Sequence, residues 1–247
     1  MAATRRSALI TGSGQNIGRA VALALAADGF NIVVNGLTKR VPCEETAEAA
    51  RTHGVEAIVV MGDVGTADGC AQIAGTGISR FERIDVLVHN AAIRPSSPFL
   101  EMDEAEWRRV IDVNLNGAFW LSRLCLPGMI KAGWGRVITF AGMNAMHGYN
   151  GRAHVSVSKH GNWGLTKALA KEFGPMGITA NIVSPGPIRS EHDDPAMTAH
   201  IKAQASGIPA GRLGEPDEIA ATVSLLASDK GGFINGQMIQ VNGGMQT

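Results

Sequence analysis

The segment Thr11-Gly12-Ser13-Gly14-Gln15-Asn16-Ile17-Gly18 follows a short apolar run and leads into Arg19-Ala20-Val21-Ala22-Leu23. Glycines so spaced let backbone N–H groups approach an anion at a helix N-terminus, where the helix dipole favours negative charge. The chemistry such a turn serves is the binding of a pyrophosphate. Groups that could move a proton are scarcer. Tyr149 is the single tyrosine, with His147 two residues before it and Asn144 a little upstream; His154, His160 and His192 follow. No Asp or Glu completes a metal-ligand spacing with these histidines, so no metal is expected. Three cysteines, Cys43, Cys70 and Cys125, form no C-x-x-C pair, which argues against a zinc site or a disulfide framework and for a reducing, cytoplasmic setting. Met143, Met146, Met176 and Met197 read as pliable wall or core.

Such groups must be carried by a scaffold, and the chain predicts one. Strands are expected over 7–11, 31–35, 56–61, 84–89, 136–141, 179–184 and 238–241, each a short apolar, often β-branched run. Helices are expected over 17–28, 43–53, 67–81, 104–131, 155–173 and 216–226, where apolar residues recur at helical spacing. Strict alternation of strand and helix implies parallel strands with helices on both faces: a doubly wound α/β fold with a seven-stranded sheet in one domain, 1–247. The stretch 185–209 breaks the rhythm with four prolines and a polar run, and is expected to form a substrate lid.

Length and composition narrow the function classes. The 247 residues have 45% hydrophobic and 18% charged side chains, which excludes wholesale disorder. Lys plus Arg and Asp plus Glu are 22 each, so no electrostatic pull toward nucleic acid or anionic membrane is expected. The apolar run before Thr11 is too brief for a signal peptide or a membrane span. The 31 glycines exceed the usual share of about 7% and predict many tight turns.

Taken together the motifs resemble the short-chain dehydrogenase/reductase family over essentially the whole chain. The family turn is Thr-Gly-x-x-x-Gly-x-Gly; Gly12 and Gly18 match it, and Asn16 stands at the middle glycine, where a residue tolerant of left-handed backbone is needed. Gly62-Asp63-Val64 is similar to the pair at the adenine, His89-Asn90-Ala91-Ala92 to the segment after strand four, and Val113-Asn114-Leu115 to the one bearing the family Asn. Ser184-Pro185-Gly186-Pro187-Ile188 is similar to the turn at the nicotinamide, and Ile239-Gln240-Val241-Asn242-Gly243-Gly244 to the last strand. The resemblance implies a Rossmann-type fold. It also implies a nicotinamide cofactor held by Gly12, Ser13, Asn16, Ile17, Gly18, Asp63, Val64, Asn90, Ala91, Ala92, Lys159, Pro185, Gly186 and Ile188. A small-molecule substrate and a homotetramer are implied as well.

In that family a Ser and a Tyr-x-x-x-Lys carry the proton chemistry, the Tyr supplying the proton and the Lys tuning it. Ser158-Lys159-His160-Gly161 fits the lysine segment, so Lys159 is the family lysine; four residues earlier stands Val155, and thirteen before that Gly142. Asn114 and Lys159 are what remains of the tetrad, and Tyr149 or His147 is expected to supply the missing proton. His154, about 100° around the helix from Val155, is expected to point away. The family's acid at the end of the second strand, which binds an adenosine 2′-hydroxyl, is replaced by Gly36, followed by Lys39 and Arg40; this predicts NADP(H), with NAD(H) the alternative. The expected reaction is reduction of a C=N bond, an activated C=C bond or a specialised carbonyl. The competing readings are a dinucleotide-binding sensor or partner subunit without catalysis, and a non-redox enzyme using the pocket alone.

Overall fold

The computed structural model describes residues 5–143, 147–190 and 204–247. Seven strands form one sheet: β1 (Ser7–Ile10), β2 (Asn31–Gly36), β3 (Ala57–Met61), β4 (Val86–His89), β5 (Gly135–Phe140), β6 (Ile178–Pro185) and β7 (Met238–Val241). Their order is β3-β2-β1-β4-β5-β6-β7 and every pairing is parallel. The chain winds outward from β1 to β3, then returns to place β4 on the other side of β1. That reversal opens a crevice between the carboxyl ends of β1 and β4, the place where open α/β sheets bind ligands.

The strand sequences follow from burial on both faces. All of β1, β4 and β5 is buried, so these segments read as predominantly apolar runs without polar alternation, whereas the edge strand β7 is only partly covered. Successive side chains go to opposite layers. Ala8, Ile10, Ile32 and Val34 pack with Val21 and Leu25 of α1 (Asn16–Ala27), Cys43 and Ala47 of α2 (Arg40–Arg51), and Ile219 and Val223. Leu9, Val33 and Leu87 pack on the other side with Ile73 of α3 (Ala67–Phe81), and with Leu121 and Met129.

The helix expected over 104–131 is two helices, α4 (Glu104–Ile111) and α5 (Gly117–Ala132), joined by a π-turn at Asp112–Asn116. Its cause is Asn114, whose side chain is fully buried and engaged outside its own helix. Among the described residues the two remaining α-helices, α6 (Ala153–Phe173) and α7 (Pro216–Ala227), lie where expected. A capping box of Glu215 and Glu218, with Pro216 in the first turn, starts α7. Among the described residues no helix is long and apolar enough to cross a membrane.

Candidate active site

The turn after β1 is locked from three sides. Thr11 Oγ1 accepts the backbone N–H groups of Asn90 and Ala91, each at 3.0 Å, and Asn90 Nδ2 donates to the carbonyls of Thr11 and Gly12, each at 3.0 Å. Ser13 N–H donates to Asn35 O (2.9 Å) and Ser13 Oγ to Ile10 O (2.8 Å). Asn35 Nδ2 in turn donates to Val60 O at 3.0 Å, so one amide ties the turn to β2 and β3. Gly12 has φ 61° and Asn16 φ 50°, so Asn16 takes the left-handed backbone its sequence position requires. A Cβ on Gly18 would lie 2.2 Å from Gly12 O and 2.7 Å from Asn90 Nδ2; only glycine lets the first turn of α1 seat this close. Ile17 follows Asn16 at the start of α1, leaving the helix N-terminus beside the turn. Turn, helix end and the Asn90-Ala91-Ala92 edge form a concave cradle of the kind that could hold a dinucleotide pyrophosphate.

Flanking groups extend the cradle. Beyond β2, Lys39 precedes the first residue of α2, and Arg40 is ion-paired with Glu44 at 2.8 Å. Asp63 lies beyond β3, its carboxylate gripped by Arg109 of α4 at 2.9 and 3.0 Å and accepting Gly65 N–H at 2.8 Å. Burial would raise its pKa, but Arg109 and the Gly65 N–H outweigh that and hold it below the usual carboxylate value. Val64 beside it is buried. At the far side, Gly186 N–H donates to Val241 O (2.9 Å), a Cβ there would meet Asn242 Cα at 2.7 Å, and Ile188 bridges Gly214, laying the segment from Pro185 to Ile188 against the end of β7.

Asn114 donates from Nδ2 to Ile93 O (2.9 Å) and accepts Ile93 N–H (2.9 Å), while its backbone carbonyl accepts Asn162 Nδ2 at 2.7 Å. It also donates to Ser158 Oγ at 3.2 Å. The side chain therefore fixes the chain leaving β4 against α6, which explains the π-turn that frees it. Lys159 is buried and donates from Nζ to Phe140 O at 2.9 Å, at the end of β5. Burial, then the charge of Arg94, depresses its pKa to about 7. His89 lies nearby with Nε2 3.1 Å from Val113 O; burial, then the charge of Lys159, depresses it to about 4, so it is neutral at physiological pH.

One turn before Lys159 on α6, Val155 is buried and offers no donor from its side chain. Gly142 has φ 110° and open space where a Cβ would stand. Tyr149 is 48% exposed, with the Arg152 guanidinium 4.9 Å from its ring centre. His147 is exposed and packs on the Gln246 side chain. His154 is fully buried and turned onto Glu106 of α4, its Nε2 3.1 Å from Oε1, and so takes a structural role between helices. Asn144, Met146, His192, Met197 and the middle of the expected lid lie outside the described residues. Among the described residues no group of three or more His, Cys, Asp or Glu converges as a metal site.

Sequence reasoning passed over Arg94 and Arg109, and took His89 only as part of the segment after strand four. The available signal for Arg94 was a lone cation between an apolar strand end and Pro95.

A parallel sheet with a glycine-lined turn at its switch point, a locked Asn90 and a buried lysine at the neighbouring strand end defines a dinucleotide-dependent oxidoreductase fold. Residues 12–246 match the family model described as enoyl-(acyl carrier protein) reductase. The 3-oxoacyl-[acyl-carrier-protein] reductase FabG of Staphylococcus aureus is 39% identical over 241 residues, covering 97% of this chain and 98% of the relative. Acetoacetyl-CoA reductase of Allochromatium vinosum is 36% identical over 246 residues, with 97% and 98% covered. Among solved structures, acetoin dehydrogenase YohF from Salmonella typhimurium superposes with a TM-score of 0.90 at 31% identity, over 98% of this chain and 97% of that one. The chain belongs to the short-chain dehydrogenase/reductase family of oxidoreductases. The cradle around Gly12, Asn16 and Gly18 fits the nicotinamide dinucleotide such an enzyme uses.

Proposed function

We propose an NADP(H)-dependent reductase whose proton is held by Lys159 rather than by a phenol at position 155. The observation that carries this reading is a buried Lys159, brought to a pKa of about 7, on the same helix face as a donor-free Val155. Positions four apart share a helix face, so the ammonium faces the place where the family phenol would stand. A general acid works best with a pKa near the operating pH. Lys159 Nζ is anchored on Phe140 O and has further N–H bonds to offer a developing anion. Asn114 holds the wall carrying Ile93, and Pro185 and Gly186 close the opposite side. The bound cofactor supplies the hydride. Of the other candidates, Tyr149 stands at the rim beneath Arg152, and His147 packs on the C-terminal Gln246.

Electrostatics orders the substrates. Lys159, Arg94 and Arg152 bring positive charge to this cleft, which disfavours a cationic iminium and favours a developing enolate or alkoxide. An activated C=C bond or a specialised carbonyl is therefore the proposed target, in keeping with the enoyl reductase description of the matching model. NADP(H) is proposed over NAD(H) because no acid closes β2. A Cβ on Gly36 would lie 2.5 Å from Cys43 Sγ, so the NAD-selecting acid has no room, while Lys39 and Arg40 follow. A homotetramer is proposed from Phe119 of α5 and Val157 of α6, apolar side chains left 41% and 48% exposed, and from the thinly covered edge strand β7.

The test is single-turnover transfer of deuterium from labelled NADPH to matched ketones, enones and imines across pH. Transfer to enones that falls above about pH 7 and persists in Tyr149→Phe and His147→Ala supports the reading. Loss in Tyr149→Phe alone would move the proton source to the rim, and no transfer despite tight NADPH binding would leave a dinucleotide-binding protein without catalysis.

A further inference from the structure

Among the described residues, two arginines at this cleft have no acidic partner. Arg94 is the residue after Ile93, whose N–H and carbonyl are both clamped by Asn114, so its backbone is fixed at the carboxyl edge of β4. Arg152 precedes the first residue of α6, with its N–H donated to Tyr149 O at 3.1 Å. The loops carrying them are joined, because Ser97 N–H donates to Gly151 O at 2.8 Å and a Cβ on Gly151 would touch Ser96 Oγ at 3.0 Å. The two guanidinium groups are close enough to repel each other, and Arg94 is close enough to repel Lys159. Arg94 is exposed to solvent at the mouth of the cleft, and the packing around its head group, with the charge of Arg152, lowers its pKa.

Among the described residues no carboxylate pairs with either arginine. Glu106, on the facing helix, is occupied by Ser97 Oγ at 2.6 Å and by His154. Arg152 Nε is buried without a hydrogen-bond partner, and the guanidinium otherwise lies over the Tyr149 ring. Like charges gathered without a counterion cost stability, and a desolvated donor left unpaired costs more. Such groups occur where a ligand supplies the missing charge. The planar guanidinium fork matches a carboxylate through two parallel hydrogen bonds, which a lysine cannot do.

We propose that Arg94 and Arg152 form a subsite for a carboxylate on the substrate, held at the mouth of the cleft that Lys159 floors. The substrate class is then a small carboxylic acid bearing the reducible group. This specification of substrate rests on the reductase reading above.

The experiment titrates NADP⁺-saturated protein by calorimetry with mono- and dicarboxylates of two to six carbons and with their matched primary amides. In the wild type at least one acid binds tenfold or more tightly than its amide. Arg94→Gln and Arg152→Gln each abolish that preference and leave amide and NADP⁺ affinities unchanged, whereas Lys167→Gln, on the exposed side of α6 beside Trp163, preserves it. Arg94→Lys and Arg152→Lys, which keep the charge, retain part of it and serve if a Gln variant fails to fold. Equal binding of acids and amides overturns the proposal, as does a preference that survives both Gln substitutions. A loss of NADP⁺ affinity in place of acid affinity also overturns it, by assigning the arginines to the cofactor. An intact acid preference with no hydride transfer to any acceptor removes the reductase reading and leaves the subsite standing.

Discussion

Replacing Lys159 by Met should stabilise the protein at neutral pH while destroying its chemistry. The folded-state pKa is about 7 against an ordinary 10.5, with burial the main cause and Arg94 the second. Between those values the unfolded chain binds a proton that the folded chain does not. Stability therefore falls as pH drops from 10.5 toward 7 and the loss is complete below that. A shift of this size corresponds to about 5 kcal/mol at 1.36 kcal/mol per unit. Met removes that cost but leaves Phe140 O without its donor, a loss of about 1–3 kcal/mol. The net expectation is a variant about 2–4 kcal/mol more stable at pH 7, an advantage that shrinks by about 3 kcal/mol on raising the pH to 9.5. Urea unfolding at both pH values, at fixed protomer concentration, measures it. A variant less stable than wild type at pH 7, or a difference independent of pH, would refute the reasoning that Lys159 is held partly discharged by its surroundings.

His89, depressed to about 4 from 6.5, works on the acid side: stability should fall as pH drops from 6.5 to 4, and His89→Asn should flatten that fall by about 3 kcal/mol, read from unfolding curves across the range. Lys39→Ala with Arg40→Ala should weaken NADPH by about 1.5–3 kcal/mol while leaving NADH nearly unchanged; calorimetry showing equal losses would count against the 2′-phosphate assignment. Gly142 has φ 110° with nothing near its missing Cβ, so Gly142→Ala and Gly142→Ser should destabilise alike, by about 1–3 kcal/mol from backbone strain alone. Thermal unfolding checks this, and a large difference between Ala and Ser would show that a contact has been overlooked. Val155→Tyr combined with Gly142→Ser should gain reduction of plain ketones, followed as NADPH consumption, and no gain over wild type would mean the cleft does not admit the phenol.

The strands were legible because parallel strands buried on both faces leave no polar alternation to decode: Asn31–Gly36 and Ala57–Met61 each lie within a residue of the runs expected from sequence. Asn16 was legible for a related reason, since left-handed backbone is a local demand that a side-chain type can answer. What escaped was set by partners distant in the chain. Apolar periodicity continues across 104–131, and nothing within that window reveals that Asn114 will be drawn out of the helix by a backbone 21 positions earlier. Val155 and Gly142 could be named from spacing, yet the lowered pKa of Lys159 depends on burial and on Arg94, which no local pattern reports. Asp63 reads alone in the sequence, but its charge is shared with Arg109, 46 positions on.

The contact between Gly36 and Cys43 constrains the order in which this protein could change. Cys43 Sγ lies 2.5 Å from where a Cβ on Gly36 would stand and 3.0 Å from the equivalent point on Gly14. An aspartate introduced first at position 36 meets a sulfur in a packed layer and must displace it. A smaller residue introduced first at position 43 opens the space but by itself gains no new cofactor contact. Exchange of cofactor preference is therefore a two-step path whose first step is selectively silent or slightly harmful. If NADP(H) is preferred as proposed, a lineage carrying this cysteine would hold that preference by history as much as by the chemistry of Lys39 and Arg40.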